Sequence, residues 1–169
     1  MLTARDAFTD FGEMRAGSAE ASTDPPARSG EFPAPRPPAD DKSWSLDHSP
    51  EAARAARSIT AEALHEWGIP EEAEQITLLV VSELVTNAVE HARAPIVLHL
   101  YREHSAGQLW IGVTDGGPAE HRGTWTTSCA PDEHGRGLML VETLTDSHGR
   151  HTHSTSAATT HWAFLAAAR

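Results

Sequence analysis

The residues from Gln75 to Ala92, QITLLVVSELVTNAVEHA, constrain this chain more than any other stretch. At 3.6 residues per turn, Leu78, Val81, Val85, Ala88, Val89 and Ala92 fall on one side and make an apolar stripe fit for a core. Glu83, Asn87 and His91 recur every fourth residue on the other side, so they stack along one line of the helix, with Glu90 at its border. A solvated helix face ordinarily mixes Lys, Arg and Glu. This one carries a carboxylate, a carboxamide and an imidazole, with no basic residue until Arg93. Oxygen ligands at that spacing suit a hard divalent cation, and a carboxylate one turn away suits a general base. The pattern equally fits an ordinary amphipathic helix whose polar face meets water, and the helix alone does not choose.

The rest of the chain bounds the choices. Its 169 residues can bury one core, so one folded domain is expected. A formal charge of -11 leaves no basic stripe to neutralise nucleic-acid phosphates, although backbone amides and a metal can hold a phosphate without Lys or Arg. The single cysteine, Cys129, excludes an intrachain disulfide and a Cys-based zinc site. No apolar run approaches membrane-spanning length and MLTARDAFTDFGEMR lacks a signal-peptide hydrophobic region, so a cytoplasmic protein is expected.

Residues 1–42 read as a disordered, proline-rich acidic tail. Pro25, Pro26, Pro33, Pro35, Pro37 and Pro38 block helix and sheet alike, and the segment has little to bury. A short helix around Ala4 to Ala16 is within its pattern, and PAPRPP reads as a linker more readily than as a polyproline ligand. Residues 43–169 read as globular. SWSL begins them as a short strand, and Ser49-Pro50 reads as the N-cap and first position of a helix that Gly68 ends. Pro70 starts the central helix and Ala94-Pro95 breaks it. IVLHLY and Leu109 to Thr114 alternate as two strands of a hairpin around Gly107. Asp115-Gly116-Gly117-Pro118 follows, then an irregular stretch to His134. Gly135-Arg136-Gly137 opens a third helix, LMLVETLTD, and the Thr/Ser-rich end reads as two strands joined around Ala157.

The loops carry chemistry of their own. An aspartate between a strand and two glycines is held rigidly while the backbone turns away, and it can accept from an exocyclic amine while Gly117 lets a flat ring approach. Glycines at a helix start expose N–H groups at the positive end of the dipole, where a phosphate can sit. Each feature is also common in a plain turn or helix entry.

Their order is more specific. SELVTNAVEHA, then VTDGGPA, then HGRGLMLVETL resemble the N, G1 and G2 boxes of the GHKL superfamily of ATP-binding domains, shared by DNA gyrase and histidine kinases. The short chain and the ELVTNAVEHA wording are most similar to the anti-sigma factor serine/threonine kinases and their stand-alone actinobacterial relatives, over roughly Ser43 to Ala167. Pattern and resemblance together give an α+β fold. It is a two-layer sandwich of the Bergerat type, with helices over one face of a mixed, mostly antiparallel sheet.

The resemblance implies roles. Asn87 supplies the oxygen for a Mg2+ that bridges the ATP phosphates, and Glu83 is the general base for the attacking hydroxyl. Asp115 accepts from the adenine amino group and Gly117 gives the base room. Gly135, Arg136, Gly137 and Leu138 cradle phosphates, with Pro118 to His134 as the ATP lid. His91 matches a usual histidine of these relatives, structural or ligand-contacting, and Thr159 or Thr160 sits near adenine, Thr160 being the one assigned. Two departures stand out. Ala119 replaces the second G1 glycine, and Ala157-Ala158 stands where a Gly-Lys is common.

The expected function is an ATP- and Mg2+-dependent protein serine/threonine kinase of the anti-sigma factor type. It would phosphorylate a small antagonist protein and so free or capture a sigma factor, without direct nucleic-acid or membrane binding and with a homodimer left open. The other class is a non-catalytic, nucleotide-gated binding protein. Intact Glu83 and Asn87 favour the enzyme. The metal reading of His148, His151 and His153 lacks a carboxylate or cysteine at ligand spacing. Cys129 has no positive neighbour to activate it, and Trp110 and Trp125 suit a core or a partner surface better than a base stack.

Overall fold

A computed structural model describes residues 39–103, 107–119 and 136–166. Within them, strand β1 is Ala39–Leu46, helix α1 Ala52–Glu66, helix α2 Glu71–His91, strand β2 Ile96–Glu103 and strand β3 Gln108–Asp115. Helix α3 is Arg136–Leu144, and strands β4 and β5 are Ser147–Thr152 and Thr159–Ala166. The expected helix near Ala4, the PAPRPP run, Gly135, Cys129, Trp125 and the lid beyond Ala119 lie outside the described residues.

Helix α1 ends where the sequence says it should. Gly68 takes φ +65°, and the N–H of Ile69 donates to the Leu64 carbonyl at 3.0 Å, a Schellman closure. Its start differs from expectation. Ser49 and Pro50 form a turn in which the Ser49 carbonyl accepts from the N–H of Ala52 (3.1 Å), and the helix begins at Ala52 without a side-chain cap. Helix α2 follows Pro70 with Glu71, Glu72 and Glu74 in its first turn, where negative charge complements the dipole.

The buried set of α2 is wider than one stripe. Ala73, Thr77, Val80 and Leu84 join Val81, Val85, Ala88 and Val89, while Leu78 is only half-buried. The reason is position: α2 packs against α1, against α3 and across β2, β3 and β5. Beneath it, Ile96, Leu98 and Leu100 of β2, Leu109, Ile111 and Val113 of β3, and Ala163 and Leu165 of β5 complete one core. Each such fully buried aliphatic side chain contributes about 1.5–3 kcal/mol. Among the described residues no helix is long and apolar enough to cross a membrane.

The sheet runs β1-β2-β3-β5-β4, and every neighbouring pair is antiparallel. The expectation of a mixed sheet is corrected. The chain leaves β3, passes through α3 and returns as the edge strand β4, so the β4–β5 hairpin inserts β5 beside β3 and no parallel pair forms among the described residues. β1 is also longer than SWSL: its register begins with Ala39 opposite Glu103, four residues ahead of Ser43.

The face of the sheet turned away from the helices has its own order. The Trp110 ring lies over Gly112, where a Cβ would come within 2.2 Å of it, and the Trp162 ring lies over Gly149, with 2.6 Å for the same test. Tyr101, Trp162 and Phe164 pack around Trp110. A buried chain of hydrogen bonds crosses three strands on this face: His99 Nε2 to Thr114 Oγ1 at 3.0 Å, Thr114 to Thr160 at 2.7 Å, and Thr160 to His153 Nε2 at 2.8 Å. His151 stacks edge-on against His153, and among the described residues no group of three metal-ligating side chains forms.

Burial, with a smaller push from His153, lowers His99 from 6.5 to about 4. Its folded form resists the proton that the unfolded chain accepts, so stability is full above pH 6.5 and falls as pH drops toward 4. By linkage the loss between pH 7 and pH 5 is about 2 kcal/mol. Asp115, whose carboxyl burial raises, contributes with the opposite sign. Urea unfolding at the two pH values should therefore show the wild type losing more stability on acidification than His99→Gln; equal losses would contradict it.

Candidate functional site

A backbone clip builds the site. Helix α2 ends at His91, and Ala92 turns to extended backbone. The next residues pair with the turn after β3. Gly116 N–H donates to the Arg93 carbonyl (2.7 Å), Arg93 N–H to Gly117 (2.9 Å), and Ala119 N–H to His91 (3.0 Å), with an Ala92–Pro118 bridge among them. The last turn of α2 is thereby fixed beside Asp115-Gly116-Gly117. Gly116 permits this approach, since a Cβ there would lie 2.3 Å from the Ala94 carbonyl oxygen.

Asp115 closes β3 with its side chain on the helix-facing side, in register with Thr159. Its Oδ1 accepts from the Gly117 N–H at 2.7 Å, and its side chain is only 4% exposed. Burial raises this carboxyl, and the backbone N–H groups of Gly117 and Thr159, with His161, pull it back. A buried, oriented carboxylate of this kind can discriminate for a hydrogen-bond donor that reaches it.

Gly117 has φ +87°, and the space its Cβ would take is filled by the Ala157 carbonyl oxygen at 2.1 Å. The missing side chain thus admits the β4–β5 turn. Thr160 needs a similar correction. Its hydroxyl bonds Thr114 and His153 on the far face of the sheet, because alternation along β5 turns it away from Asp115. Thr159, one residue earlier, is the threonine beside the carboxylate. Trp110 likewise faces away from this site.

On α2, Glu83 and Asn87 are half-buried and one turn apart. The Nδ2 of Asn87 is buried and has no hydrogen-bond partner among the described residues. Such an orphan costs on the order of 1–3 kcal/mol, and the two ends of a carboxamide are interchangeable by a flip, so this end can present either a donor or an oxygen. His91 lies further out, its Nε2 3.6 Å from the Glu90 carboxylate. Arg136, Gly137 and Leu138 form the first turn of α3, whose free N–H groups and dipole favour an anion, and α3 packs on α2.

Sequence reasoning missed His161. It shares the helix-facing side of β5 with Thr159, Ala163 and Leu165, and its Nε2 lies 3.8 Å from Asp115 Oδ2. Period-two alternation from Thr159 was the available signal.

The family model for a histidine kinase-like ATPase domain matches residues 46–161. A crystal structure of the RsbU and RsbW domains of Rv1364c from Mycobacterium tuberculosis is similar, with a TM-score of 0.56 and 26% identity over 78% of this chain and 33% of that one. The chain thus spans about a third of the length of that structure. No curated protein matches.

Titration calorimetry should show Mg-ATP binding by the wild type and a loss of at least about tenfold for Asn87→Ala, as expected when a charged partner's hydrogen bond or ligand is removed. Asp115→Asn should reduce the preference for ATP over GTP. Unchanged affinities in both variants would remove these residues from the site.

Proposed function

The chain belongs to the histidine kinase-like ATPase domain family, and from that premise we propose that it is an ATP- and Mg2+-dependent protein serine/threonine kinase of the anti-sigma factor type. Its substrate is a small antagonist protein, and phosphorylation switches a sigma factor between partners. The observation that carries the reading is the unpartnered amide end of Asn87 on the same helix line as Glu83, at the end of α2 that the backbone clip joins to Asp115. The likeness to a solved structure containing an RsbW domain supports the regulatory class.

The residues fit the nucleotide and its ion. Asp115 accepts from the amino group of the base. With its amide turned oxygen-first, Asn87 would hold Mg2+, which would neutralise charge on the phosphate oxygens. The N–H groups at the start of α3 would offer the phosphates a fixed partial positive charge, and the sequence assigns Gly135 to the same cradle. Glu83 lies one turn before Asn87, where it can take the proton of a serine or threonine hydroxyl as that oxygen bonds to the terminal phosphorus and the bond to the β-phosphate oxygen breaks, releasing ADP. His91, at the rim beside Glu90, supports the end of the helix.

A second reading, a nucleotide-gated binder without phosphoryl transfer, draws on Ala157-Ala158. The β4–β5 turn carries no lysine there and packs against Gly117. The two readings separate at Glu83. With the cognate antagonist as substrate, Glu83→Gln should keep Mg-ATP affinity and lose about two to four orders of magnitude in phosphate transfer. Equal transfer by wild type and variant would refute the base assignment, and no transfer by the wild type would leave the binder.

A further inference from the structure

His161 occupies a position on β5 where the core pattern calls for an apolar residue. Its same-face neighbours Ala163 and Leu165 are buried in the core, and its register partner on β3 is Val113. Toward the open end of the strand the face becomes Thr159 opposite Asp115. His161 is thus the last side chain before the buried carboxylate, and it is partly exposed while Asp115 is not.

The 3.8 Å between His161 Nε2 and Asp115 Oδ2 exceeds hydrogen-bond distance. The two groups do not satisfy each other. They lie side by side at one end of the helix-facing side, where Asp115 Oδ1 is taken by the Gly117 N–H and the Thr159 N–H also donates to the carboxylate. Burial lowers the His161 ring below its ordinary range, against the pull of Asp115 and with a smaller push from Arg150, which faces it from β4. The imidazole is therefore neutral at pH 7, with one N–H. A carboxylate near Nε2 favours the tautomer that carries the proton there. The pair then presents an acceptor beside a donor.

The complementary edge offers a donor beside an acceptor. A 6-aminopurine has that arrangement on either side of its amino group, where a bare ring nitrogen flanks the N–H donor. A 6-oxopurine puts a carbonyl at the amino position, which would face the Asp115 carboxylate with no donor between them. We propose that His161 determines base specificity: its Nε2–H donates to the ring nitrogen next to the amino group of a 6-aminopurine, while Asp115 accepts from that amino group. The inference rests on the nucleotide-binding reading above and adds a second reader of the base to it.

Binding of ATP, 1-deaza-ATP, 7-deaza-ATP and GTP at pH 7.5 to wild type, His161→Leu and His161→Gln tests it. One of the two deaza analogues, which replace a ring nitrogen by CH, should bind the wild type about 5- to 10-fold more weakly than ATP, the worth of one hydrogen bond. In His161→Leu that ratio should collapse toward one, and where the 1-deaza analogue is the weak one the preference over GTP should narrow too, since only N1 turns from acceptor to donor in a 6-oxopurine. His161→Gln, which keeps an N–H donor, should retain part of it. A histidine that only packs would weaken every nucleotide by the same factor, and unchanged ratios would overturn the proposal. So would a wild type that binds ATP and both analogues equally, a result readable without any variant. Absence of ATP binding by the wild type is a separate outcome, and it would overturn the nucleotide reading together with this one.

Discussion

Three short backbone hydrogen bonds between the end of α2 and the Gly116–Ala119 turn hold this structure's chemistry together. They tie the helix that carries Glu83 and Asn87 to the strand end that carries Asp115. Side-chain packing alone would leave that junction to slide, since the contacts of Val85, Ala88 and Val89 are apolar and non-directional. Hydrogen bonds between N–H and C=O groups at 2.7–3.0 Å do not slide. Gly116 is the sequence's concession to them, because any side chain there would strike the Ala94 carbonyl.

The sheet serves this junction in two ways. Its helix-facing side supplies the apolar floor on which α2 rests, and at the Asp115 end that side changes from aliphatic to polar: Asp115, Thr159, His161. The opposite side stiffens the same strands. Thr114 and Thr160 flank the site residues in sequence and are locked into the His99–Thr114–Thr160–His153 chain. A buried hydrogen-bonded chain of this kind specifies one register, because a one-residue slip would bury hydroxyls in the aliphatic core. The positioning of Asp115 therefore depends on groups that no ligand touches.

Burial is also what gives the site its electrostatics. Asp115 and His161 are both pushed toward their neutral forms by desolvation, and each is partly restored by the other. A site with this balance discriminates by hydrogen-bond direction more than by net charge, which fits a chain whose overall charge is -11. The start of α3 and the amide of Asn87 likewise offer oriented dipoles.

The sequence by itself determined the helices, their polar line and the order of the loops. Those features are local: a period of 3.6 fixes which residues share a face, Gly68 and Pro70 mark ends, and Asp115 before two glycines announces a rigid turn. The family resemblance followed from the same local wording, and so did the α+β class. The tertiary structure decided what periodicity cannot reach. Strand order is set by where the chain returns after α3, so the sheet became antiparallel throughout and β1 gained four residues from its pairing with β2. Which of two adjacent threonines meets the carboxylate depends on register across β3 and β5, and a shift of one residue exchanges the faces: hence Thr159 and not Thr160. Gly117 looked like room for a base, yet its neighbour in space is Ala157, forty residues away in sequence. Alternation from Thr159 put His161 on the same face, but its neighbour Asp115 stands on another strand, and only the pairing of β3 with β5 brings the two together.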